Sequence, residues 1–114
     1  MTHVGSEALD RLLENLGRAA TVELVAFALP HIVLRRDSLK LLLQTGDWEG
    51  AGRVAHKTLS SVRLYGSSQF EALLRQVCQQ ETGVISSAAF QTTLDKEFSS
   101  IIKMLEQWLA SELA

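Results

Sequence analysis

A chain of 114 residues, 46% apolar and 21% charged, is the size of one domain and carries enough apolar material to bury a core, which excludes a disordered tail or linker. Its net charge of −2, from 11 basic and 13 acidic residues, leaves no electrostatic footprint for nucleic acid. The one cysteine, Cys78, excludes an internal disulfide and any repeated cysteine pattern for a metal.

The start of the chain, MTHVGSEALDRLL, has no long apolar segment behind a basic stretch, so no signal peptide is expected. The run VELVAFALPHIVL is too short, and with Glu23, Pro30 and His31 too polar, to span a bilayer. A lone cysteine suits a reducing compartment. The expectation is a soluble, cytoplasmic single domain over residues 1–114.

Helical patterning runs through nearly the whole chain. Ser6 can cap a first helix, SEALDRLLENLG, whose Leu9, Leu12, Leu13 and Leu16 form one stripe before Gly17 ends it. Thr21 can cap a long second helix to Gly46, with Leu24, Phe27, Ala28, Leu34, Leu41 and Leu42 as its buried side. Pro30 should bend or interrupt that helix without ending it. Asp47 caps a third helix, read as continuous to about Tyr65 before Gly66. Ser67 opens a fourth, SSQFEALLRQVCQQ, closed by Thr82-Gly83, in which Cys78 beside Leu74 and Val77 reads as a small buried hydrophobe. Ser86 or Ser87 opens the last, with Phe90, Leu94, Phe98, Ile101, Leu105 and Trp108 at helical spacing. Helices of this length on short loops bury best as an all-α, up-and-down antiparallel four-helix bundle, here with an additional short N-terminal helix.

The third helix holds the candidate chemistry. Trp48, Ala51, Ala55, Thr58, Val62 and Tyr65 fall at spacings of three and four and make an inward stripe. On a wheel of about 100° per residue, Glu49, Ser60 and Arg63 lie within about 40° of His56, and Arg53 and Leu59 within about 60°. His56 is therefore expected to face solvent among small or basic neighbours. A neutral imidazole is a nucleophile near neutral pH and can carry a covalent group. Arg63, Arg53 and Lys57 can place positive charge near a phosphoryl group on that ring, and Ser60 is small enough to admit a docking partner. Phosphoryl transfer asks mainly for positioning and charge neutralisation, so an exposed histidine on a rigid helix is adequate.

The segment A55-H56-K57-T58-L59-S60-S61-V62-R63-L64-Y65-G66 resembles the site helix of histidine phosphotransfer (HPt) domains. That family's pattern is an Ala-His pair, lysine three residues after the histidine, glycine or serine at four and glycine at ten; Ala55-His56, Ser60 and Gly66 match it in register. TGDWEGAGRVAH before the site and FEALLRQVCQQE after it are similar to the flanking stretches, as are Phe27 and Pro30 in the long helix. The resemblance extends over nearly the whole chain. One position departs: Leu59 stands where the family usually has lysine. Arg63 is the first substitute by position, with Lys57 and Arg53 less well aimed. Leu59 either adds apolar docking surface for a partner or is an ordinary exposed leucine.

The resemblance implies a phosphocarrier rather than a stand-alone enzyme. His56 would take a phosphoryl group from a phosphoaspartate on one response-regulator receiver domain and pass it to another, with a hybrid sensor histidine kinase at the head of the relay. This chain would bind no cofactor; Mg²⁺ is expected on the partner receiver domain. No nucleic acid and no membrane is expected as a partner, and the chain is expected to be a monomer. An HPt-like module that binds receivers or kinases without transfer is the alternative, with Leu59 as its sign. A hydrolase lacks a nucleophile–base–acid set, and His3, His31 and His56 lack metal-ligand spacing.

Overall fold

The computed structural model describes residues 7–114, apart from the side chain of Arg63. The described residues are all-α, with six helices and one 3-10 turn and no strand. Helix α1 spans Glu7–Leu16, α2 Arg18–Thr45, α3 Trp48–Leu59, α4 Ser68–Cys78, α5 Thr82–Ile85 and α6 Ala88–Leu113; the 3-10 turn is Val62–Leu64. The long pair α2 and α6 lie along each other, α3 packs between α2 and α4, and α1 rests on α2 and the 3-10 turn. The result is a helical bundle of about 43 × 25 × 21 Å. No described helix is long and apolar enough to cross a membrane.

Its core joins Val25, Ile32, Leu39 and Leu43 of α2 to Phe70, Leu74 and Val77 of α4 and to the whole expected stripe of α6. Phe70 and Phe98 meet edge to face, with ring centroids 4.7 Å apart, and tie α4 to α6.

The start of the chain needs one correction. Ser6 lies outside the described residues. Thr21 is not a cap: α2 begins at Arg18, and Thr21 sits inside it, fully buried, with its hydroxyl donating to the Gly17 carbonyl at 2.6 Å. A threonine whose own helix supplies an acceptor one turn back can be buried without a lost hydrogen bond. Gly17, with φ +80°, separates α1 from α2. Leu9 is buried, Leu12 and Leu13 are partly so, and Leu16 faces solvent.

The buried side of α2 is also different. Phe27, Leu34 and Leu41 are 70%, 63% and 61% exposed, Leu24, Ala28 and Leu42 are partly buried, and Thr21, Val25, Ile32, Leu39 and Leu43 are buried. Val25-Ile32-Leu39 and Phe27-Leu34-Leu41 share the same spacing and lie about 200° apart, so periodicity alone cannot choose between them. Contact with α3 and α6 chooses. Helix α2 runs on through Pro30 to Thr45.

The third helix is shorter than expected. It ends at Leu59 and gives way to the 3-10 turn, because Ser60 Oγ donates to the Lys57 carbonyl at 2.6 Å and Ser61 Oγ to the Thr58 carbonyl at 3.2 Å. Serines that bond back to nearby backbone compete with the continuing ladder. The fourth helix closes earlier than expected, at Cys78, and Thr82-Gly83 begins the short α5 instead of a plain break. Of the two candidate caps for α6, Ser87 holds the position, its hydroxyl accepting from the Phe90 amide at 3.1 Å.

Candidate functional site

The α2–α3 corner sets where the site helix begins. Gly46 takes the left-handed conformation, and the Asp47 amide returns to the Leu42 carbonyl at 2.9 Å. The Asp47 carboxylate then accepts from the Gly50 amide at 2.9 Å. A Cβ on residue 50 would fall 2.6 Å from that carboxylate, so glycine is what lets the cap close.

From that start the inner face follows the stripe expected from spacing. Ala51, Ala55, Thr58, Val62 and Tyr65 are buried and Trp48 partly so. Gly52 is buried as well, facing α4: a Cβ there would lie 3.6 Å from the Val77 carbonyl, and Cys78 Sγ is 3.8 Å from the Gly52 carbonyl. Cys78 is partly buried, and that burial raises its thiol pKa against the opposing pull of Arg75. Small residues thus bring α3 close to its neighbours on the inside and leave the other side to solvent.

His56 is on that outer side, exposed, and has no hydrogen-bond or ion-pair partner among the described residues. Lys57 is exposed beside it. Arg53 is exposed and pairs with Glu49 at 3.4 Å, so Glu49 faces a cation rather than the imidazole. A pair this open contributes little to stability and leaves the guanidinium free to exchange partners. Ser60 is exposed, its hydroxyl engaged with the Lys57 carbonyl and not with the ring. Leu59 is partly buried and packed on the core, whereas both readings of it took the side chain as exposed. Arg63 lies in the 3-10 turn, and its side chain is outside the described residues. The wheel that aimed it at His56 assumed unbroken α-helix, and the break after Leu59 removes that basis.

Gly66 is partly buried, and its amide donates to the Val62 carbonyl at 2.6 Å. A Cβ would enter the contact radius of Val62 Cγ2 and stand 3.0 Å from both Phe70 Cδ2 and the Val62 carbonyl oxygen. Its place in the motif register is thus accounted for by close packing after the site helix. Gly66→Ala is expected to cost about 1–3 kcal/mol in urea unfolding, as overpacking of a close contact does. Unchanged stability would mean that Val62 and Phe70 can both retreat.

Two residues that spacing did not single out, Arg35 and Ser61, meet Tyr65 of the inward stripe at the end of the site helix. Arg35 Nη1, from α2, donates to the Lys57 carbonyl and to Ser61 Oγ, both at 3.1 Å. Ser61 Oγ is also 3.0 Å from the hydroxyl of buried Tyr65. The sequence signal is only an Arg-Arg pair inside a long helix. Its neighbour Arg36 turns the other way, toward Asp37 and Ser99.

Chemically, the arrangement presents a free imidazole with cations nearby and no carboxylate bonded to it. Among the described residues no group of three or more histidine, cysteine, aspartate or glutamate side chains could hold a metal ion. Comparison with protein-family models, with curated proteins and with solved structures returns no match.

Proposed function

We propose that this protein is a histidine-containing phosphocarrier of a multistep two-component phosphorelay, an HPt-like up-and-down bundle of α2, α3, α4 and α6 with α1 added. The observation that carries the reading is the exposed, unpartnered imidazole of His56 on a helix otherwise closely packed, in the sequence register described above. In the transfer step, the Nε2 lone pair attacks the phosphorus of a receiver's phosphoaspartate while Nδ1 keeps the ring proton. The P–O bond breaks and the aspartate leaves as carboxylate. A second receiver's aspartate then attacks the same phosphorus, the P–N bond breaks, and the ring leaves with its electron pair. Mg²⁺ and its acidic ligands belong to the receivers. A cytoplasmic, monomeric carrier fed by a hybrid sensor kinase is the simplest setting for these steps.

The exposed Phe27, Leu34 and Leu41 supply the apolar surface such a partner needs. Because Arg35 touches Lys57, Leu34 lies at the level of the turn that carries His56. Leu34→Asp is expected to weaken receiver binding by roughly tenfold, the loss typical of an apolar anchor, and to leave thermal unfolding unchanged because the side chain is already in water. Unaltered affinity in titration calorimetry would move the docking face elsewhere.

The test of the function is a panel of phosphorylated receiver domains incubated with the protein. Acid-labile phosphate on His56 supports the carrier. Binding without transfer supports the second reading, an interaction module, which the lysine-to-leucine departure at Leu59 and the apolar stripe both favour. Restoring lysine at residue 59 then asks whether chemistry returns.

A further inference from the structure

We infer that Arg35 is a positioning residue for His56, acting through the Lys57 carbonyl and Ser61 Oγ at the end of α3. The inference rests on the phosphocarrier reading of the His56 site. His56 sits in the last turn of α3, where the α-helical ladder ends. The helix stops at Leu59, the next two residues are a turn, and two serine hydroxyls have taken the Lys57 and Thr58 carbonyls. A helix end left this way frays readily.

Arg35 supplies an anchor from a different helix. Its guanidinium shares the Lys57 carbonyl, one residue beyond His56, with Ser60 Oγ and donates to Ser61 Oγ beyond the break; Ser61 in turn is bonded to Tyr65, which is held in the core. The chain Arg35–Ser61–Tyr65 therefore ties α2, the end of α3 and the 3-10 turn into one body. Both bonds come from one nitrogen, Nη1, whose two hydrogens serve the two acceptors. A cation at a helix C-terminus also meets the negative end of the helix dipole. Arg35 is partly buried, whereas Arg53 and Lys57 are exposed and free to wander, so Arg35 is the cation whose position is set.

The test uses Arg35→Ala, Arg35→Lys and, as a second variant that keeps the charge, Ser61→Ala, each in the full chain. Amide hydrogen exchange is followed at Ser61 and Leu64, whose amides bond to Thr58 and Ser61, and at Leu105 in the core. Phosphoramidate serves as phosphoryl donor: His56 Nε2 takes the phosphoryl group, the P–N bond breaks and ammonia leaves, with no partner protein required. Arg35→Ala is expected to speed exchange at Ser61 and Leu64 by about tenfold or more while Leu105 stays within about twofold, the pattern of local opening. It is expected to slow phosphorylation of His56 by roughly 3–10-fold, and Arg35→Lys to recover most of that rate, because an ammonium can donate to the same two acceptors. Ser61→Ala should loosen the same amides with a smaller loss of rate.

Unchanged exchange at Ser61 and Leu64 overturns the inference, as does an equal rise at Leu105, which would make Arg35 merely structural. Local loosening with an unchanged His56 rate overturns it too. Failure of every receiver to phosphorylate the wild-type protein would count against the carrier reading instead, because phosphoramidate reports on Arg35 without a receiver.

Discussion

His56→Gln is expected to abolish acid-labile phosphorylation by receiver domains while shifting the thermal midpoint by no more than about 1–2 °C, the small effect of a surface substitution. Glutamine has no nucleophilic ring nitrogen, so no covalent intermediate can form, and the loss should be complete rather than partial. Stability should hold because the imidazole is in solvent and bonds to no described residue. The measurement pairs radiolabelled phosphotransfer with a calorimetric melt. A variant still phosphorylated at the wild-type rate would place the chemistry on another residue. A drop of several degrees would mean that the ring does structural work the fold does not display.

The second large effect lies in the core. Phe98→Ala removes a ring that is almost fully buried and that meets Phe70 edge to face at 4.7 Å. Deleting a buried phenylalanine costs about 3–5 kcal/mol through lost transfer energy and the cavity left behind. A domain of 114 residues has about 6–17 kcal/mol in total, so a large share of the stability is at stake. On typical unfolding entropies the midpoint should fall by about 12–20 °C. A loss below about 1 kcal/mol in urea would show that α4 and α6 collapse into the gap, as sites able to relax do.

Both of these residues could be read from spacing. Phe98 belongs to a helix with one apolar face, and every member of its stripe from Phe90 to Trp108 is buried. The inward stripe of α3 was equally legible, because small or apolar residues at Ala51, Ala55, Thr58 and Val62 alternate with polar ones, and the exposure of His56 follows from that geometry. The caps at Asp47, Ser67 and Ser87 were legible for the same local reason: a short side chain accepts from an amide three residues ahead.

Helix α2 was not legible in this way. It carries two apolar stripes of equal period on opposite sides, and expecting Phe27, Leu34 and Leu41 inside took the one that faces solvent. Local patterning holds no term for which neighbours arrive. The break after Leu59 was missed because helix spacing through Val62 and Tyr65 continues across it, whereas Ser60 and Ser61 satisfy nearby carbonyls by a route that spacing does not register.

The sequence by itself determined the helical class, the starts of α3, α4 and α6, the inner faces of α3 and α6, and the outward direction of His56. Each of these depends on residues within a few turns of one another, where 3.6-residue periodicity and capping chemistry act. Only the tertiary structure decided which face of α2 is buried and that Arg35 reaches the end of the site helix. Those outcomes join residues far apart in the chain, and a side chain's partner across a helix interface is set by how whole helices pack.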